Sequence, residues 1–116
     1  MIRNPNWTVE ETILCLDFYF KYRPSIPLKG SDELNDLHDL IQKYNKINGI
    51  EGTETHRNEN GVYMKIMNLM TLDPSTETGL PRNSKVDHLV WGKFPTHSPE
   101  LKKIAENIRF FIETMS

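Results

Sequence analysis

Cysteine is nearly absent. Cys15 stands alone among 116 residues, so neither a disulfide framework nor a cysteine-rich zinc site can form. Its neighbours Leu14 and Leu16 are apolar, so Cys15 reads as a small buried hydrophobe, and a reducing cytoplasm is the expected compartment. Long apolar runs are missing, and Met1 to Pro5 carries no apolar signal core, so no membrane partner is expected. Excess positive charge is missing as well. The formal net charge is −2, which excludes a polycation that coats nucleic acid through many phosphate contacts but allows a local basic face. No alternating apolar–polar run is long enough for a strand, and there is no internal repeat or low-complexity tract.

Catalytic signatures are equally scarce. There is no GxSxG elbow and no GxxxxGK[ST] or GxGxxG phosphate loop. The four histidines, His38, His56, His88 and His97, have no HxxxH or HxH spacing. Asp32, Glu33, Asp36 and Asp39 read as a solvated helix face. The expectation is a non-enzyme with no catalytic residue, no metal site and no cofactor.

What is present is an ordinary globular balance, with 37% hydrophobic and 26% charged residues. Thr8 and Glu11 have capping-box spacing, and the segment Val9 to Tyr22 is apolar on more than one face, which predicts a central helix ended by Pro24. Ser31 can cap a second helix with the stripe Leu34, Leu37, Ile41 and Tyr44, ended at Asn48-Gly49. Asn58 or Asn60 can cap a third, with Val62, Ile66, Leu69 and Met70 on one side, closed by Asp73-Pro74. Ser84 can cap a short fourth through Trp91. Ser98, with Pro99 at the first helical position, opens a last helix striped by Leu101, Ile104, Ala105, Ile108 and Ile112. The expected fold is all-α: a compact single domain, 1–116, of about five helices with polar loops.

The remaining polar constellation lies at the start of the third helix and in the loop before the fourth. Arg57, Asn58, Asn60, Tyr63, Lys65 and Asn68 combine with Arg82, Asn83 and Lys85, with no acid between Glu77 and Asp87. Arg pairs bidentately with guanine or phosphate, Asn pairs with adenine, and a helix N-terminus offers amides to a phosphate. A third basic run holds Lys21, Arg23 and Lys29. Each has a plainer reading. Asn60-Gly61 can be turn chemistry, Tyr63 can be core, and Lys21 and Arg23 can answer the negative end of the first helix.

The opening Asn4-Pro5-Asn6-Trp7-Thr8, with Glu11 and Ile13 to Tyr19, and the segment Arg57 to Asn68, containing Asn60-Gly61-Val62-Tyr63-Met64-Lys65, form a recognisable series. Leu72-Asp73-Pro74, Thr78-Gly79-Leu80, Val90-Trp91 and Phe94 continue it in order. The series resembles the N-terminal head domain of McrA-like, modification-dependent HNH restriction endonucleases over nearly the whole chain. The resemblance implies a non-catalytic recognition head for DNA carrying modified bases, such as methylated or hydroxymethylated cytosine, in phage defence. The clustered histidines and CxxC pairs of the HNH nuclease are absent from this sequence. Expected partners are double-stranded DNA and an HNH nuclease in cis or in trans. Arg57, Lys65, Arg82 and Lys85 are expected on phosphates. Asn58, Asn60, Asn68 and Asn83 are expected at bases or orienting the loop, and Tyr63 or Trp91 against a base. The alternative is a protein-interaction or dimerisation module, including a homodimer. Two positions depart from the pattern: His56 stands where an aromatic is expected, and Glu59 where proline is expected.

Overall fold

Each helix begins where a side chain can take its free amides. Thr8 Oγ1 accepts from Glu11 N while a Glu11 carboxylate oxygen accepts from Thr8 N, closing a capping box on α1 (Val9–Tyr22). Ser31 accepts from Leu34 N at the start of α2 (Asp32–Ile47), and Asn58 accepts from Gly61 N at the start of α3 (Glu59–Met70). Ser84 and Asp87 form a second capping box on α4 (Lys85–Lys93). Ser98 accepts from Leu101 N on α5 (Pro99–Met115), with Pro99 in the first turn. Gly49, with φ at +65°, turns the chain out of α2 in a conformation that side chains resist. The computed structural model describes residues 4–76 and 83–116, in which no strand occurs.

The apolar breadth of α1 has its counterpart in packing. Ile13, Leu14, Cys15, Leu16, Phe18, Tyr19 and Phe20 are all buried, and α1 touches each of the other four helices. α2 packs on α3 and α5, and α3 on α4. The core adds Leu34, Leu37, Leu40 and Ile41 from α2, Val62, Ile66 and Leu69 from α3, Val90 from α4, and Leu101, Ala105 and Ile112 from α5. The radius of gyration is 13.6 Å, against about 13 Å for a single domain of this length. Over the described residues the fold is the expected all-α single domain, with five helices. No helix among the described residues is long and apolar enough to cross a membrane.

Candidate functional site

Two buried ion pairs organise one end of the molecule. Glu11 is 0% exposed, and its Oε2 accepts from Arg57 Nε and Asn45 Nδ2, both at 2.8 Å. Arg57 Nη2 also donates to Glu11 Oε1 (3.1 Å). Its remaining donors reach the Pro5 and Asn6 carbonyls, both at 3.0 Å. Burial pushes the Glu11 carboxyl up, but hydrogen bonds from Arg57, Thr8 and Asn45 outweigh it and hold the group below its ordinary range. Arg57 reaches inward from a left-handed backbone, φ +50°, a strain of about 1–3 kcal/mol that this network offsets. Gln42 Nε2 fixes the same turn by donating to the Arg57 carbonyl (2.7 Å). The second pair joins Lys65 of α3 to Asp87 of α4.

Trp7 lies against both cations. The Arg57 guanidinium carbon is 4.2 Å and Lys65 Nζ 5.2 Å from its ring centroid. Beside it opens a cleft of about 580 Å³ between the N-terminal segment and the first turns of α3 and α4. Asn4, Pro5, Asn6, Trp7, Thr55, Arg57, Gly61, Ser84, Lys85 and Val86 line it. No carboxylate is among these lining residues.

A second cleft, about 520 Å³, lies between α1, α2 and α5 and has the opposite character. Asp17, Glu33, Asp36 and Glu106 face it together with Lys21, Lys102 and Arg109. His97, stacked on Phe20, bonds Asp17 Oδ1 through Nε2 at 2.8 Å. Two exposed carboxylates of α2, Glu33 and Asp36, thus border a groove of mixed charge.

The residues expected to bind DNA divide sharply. The α3 start and the α4 start do converge, through Arg57 and Gly61 on one side and Ser84 and Lys85 on the other. The surface they make is much less cationic than expected. Arg57 and Lys65 are each only 4% exposed and neutralised by Glu11 and Asp87, so neither can hold a phosphate as expected. Asn58 spends its side-chain oxygen on the α3 cap. The Asn83 amide packs inward on Thr71 Oγ1 at 2.7 Å, and the orientation that satisfies every neighbour also donates to the Asn68 carbonyl. The Asn68 main-chain carbonyl thus belongs to an internal joint between α3 and α4, while its half-buried side chain makes no hydrogen bond among the described residues. Trp91 packs on Tyr19 and Phe20, with centroids 6.4 and 5.4 Å apart, which makes it core and removes it as a base-packing side chain.

Asn60 and Tyr63 sit beside the cleft, outside its lining. Asn60 accepts from Lys29 Nζ (3.0 Å), and the same ammonium lies 5.8 Å from the Tyr63 centroid. The basic run is also split. Lys21 faces the acidic groove, and Arg23 pairs with Asp73 at 2.7 Å. Lys85 remains exposed at the cleft, with no carboxylate partner among the described residues. Arg82 lies outside the described residues. Glu59, at the position where proline is expected, accepts from Gly30 N at 3.0 Å.

Trp7, Asn4, Asn6 and Thr55 were not expected at the site from their own chemistry. Trp7 occurs only within the opening motif, and nothing in its spacing announces that Arg57, fifty positions on, lies under its ring. Compared with known family models, characterised proteins and solved structures, the chain matches none.

Proposed function

We propose that the chain is a non-catalytic DNA-docking head of a modification-dependent HNH restriction endonuclease, and that it meets duplex DNA through the cleft beside Trp7. The observation that carries this reading is the cleft's lining, which among the described residues contains the exposed Lys85, the Glu11-paired Arg57 and no carboxylate, on a chain whose net charge is −2. A polyanion approaching an acidic protein settles where the local potential is least negative, and the other large cleft sets four carboxylates, Asp17, Glu33, Asp36 and Glu106, against Lys21, Lys102 and Arg109. Lys85 takes the phosphate, and the amide side chains of Asn4 and Asn6 border the groove of the DNA. Gly61 of the segment Arg57 to Asn68 and Asn4 to Trp7 of the opening motif, two of the stretches that carry the resemblance, both line this cleft.

The test is a binding titration with matched unmodified, methylated, hydroxymethylated and phosphorothioate duplexes over a range of salt. Affinity should fall steeply with salt, and Lys85→Ala should lower the logarithmic salt slope by about 1. Lys102→Ala, at the acidic cleft, should leave it unchanged. A single methyl adds discrimination on the order of 1 kcal/mol if it meets an apolar wall. Absence of binding by every duplex at low salt would remove this reading.

One observation favours a protein-interaction or dimerisation module. Phe110, Phe111 and Met115 are 71%, 48% and 59% exposed on the last turns of α5. On this second reading Phe110→Ser with Phe111→Ser abolishes self-association or nuclease docking, measured by sedimentation, and leaves DNA binding intact.

A further inference from the structure

We infer that the cleft accepts one unpaired nucleobase, with Trp7 as its stacking wall; this rests on the DNA-docking reading and names what enters the site. Four features carry it. The half-buried Trp7 indole lines the cleft, so part of an aromatic surface borders a space that no side chain of the described residues fills. The wall is rigid, because the Arg57 guanidinium lies 4.2 Å from the ring centroid and is itself pinned by Glu11 and by the Pro5 and Asn6 carbonyls on either side of the peptide leading to Trp7. A preorganised platform loses little freedom when a ring stacks on it. The volume, about 580 Å³, lies within the roughly 300–1,000 Å³ of small-molecule sites, a size that suits a base.

The polar groups are also suited to a base. Asn4 is committed to the Thr53 amide at 2.7 Å and holds the N-terminal segment in place. Asn6 is exposed, and its main-chain carbonyl is used by Arg57 while its side-chain amide makes no hydrogen bond among the described residues, which leaves its NH2 donors and carbonyl acceptor for a base edge. Lys85 is exposed at the cleft, where its ammonium can meet the backbone phosphate of the inserted nucleotide. Stacking tolerates every base, and an edge-reading amide adds preference. An already unpaired or easily extruded base therefore binds best, because the cost of unstacking it is least.

The experiment uses the Trp91→Phe protein, in which Trp7 is the only tryptophan. Three otherwise identical duplexes are compared: fully paired, carrying one bulged cytosine, and carrying an abasic site at that position. The bulged cytosine should quench Trp7 emission and bind tighter than the abasic duplex. Trp7→Leu should weaken the bulged duplex roughly 5- to 150-fold, the span found when a stacking aromatic is removed, and Trp7→Phe should restore part of it. If the three duplexes bind equally and Trp7 emission is unchanged while Lys85→Ala still flattens the salt dependence, the cleft docks DNA without taking a base and this inference is wrong. If no duplex binds at all, both it and the docking reading fall.

Discussion

Arg57 and Lys65 are cations that the fold has taken out of use as surface charges. A buried charge whose partner is removed costs about 3–5 kcal/mol, far more than a surface ion pair contributes. Arg57→Ala is therefore expected to lower stability by about that amount in urea unfolding, because it strands Glu11 at 0% exposure. Glu11→Met combined with Arg57→Met should cost less than either single change, since no unpaired charge remains. Loss of DNA binding by Arg57→Ala would thus report unfolding and not a lost phosphate contact. The burial of Lys65 was legible in the sequence: Val62, Lys65, Ile66 and Leu69 follow the spacing of one helical face, and all four are buried. The Arg57 pairing was not legible. Its partner lies 46 positions away, and its inward aim depends on a positive φ that no local pattern announces.

At the scale of elements, the turn from Gly52 to Asn58 holds the N-terminal segment against the helices and so builds one wall of the cleft. Gly52 is required by close approach. A Cβ there would stand 2.5 Å from Asn4 Oδ1 and 2.6 Å from His56 Nδ1. Gly52→Ala should destabilise by about 1–3 kcal/mol and loosen Trp7, seen as a red shift of its emission. His56 makes the same turn sensitive to acid. Its Nε2 donates to Asn45 Oδ1 at 2.8 Å, while Nδ1 is buried without a partner. Burial, then the nearby Arg57 charge, hold His56 below its ordinary value of 6.5, with Glu11 opposing. Because the folded value lies below the unfolded one, this contribution to stability is full above pH 6.5 and declines as pH falls below it. Glu11 and Asp73, both held low in the fold, add further loss below their ordinary values of 4.5 and 3.8. His56→Gln should remove the first decline, which begins below pH 6.5, and keep the second, read from unfolding free energy against pH. The helices themselves were readable because caps and stripes are local. Thr8, Ser31, Asn58, Ser84 and Ser98 each cap the helix their position predicts. The cleft was not, because it is made where residues 4–7, 55–61 and 84–86 meet.

At the scale of the molecule, an acidic chain has sorted its charge into two unlike clefts, and the account rests on DNA choosing the one beside Trp7. Amide chemical-shift mapping of the 13.6 kDa protein during a duplex titration at low salt tests that choice directly. The shifts should concentrate at Asn4, Asn6, Trp7, Thr55, Gly61 and Ser84 to Val86, together with the Trp7 indole N–H. Shifts confined to the α1–α2–α5 groove around Asp17, Lys102 and Arg109, or a spectrum unmoved by DNA, would contradict it.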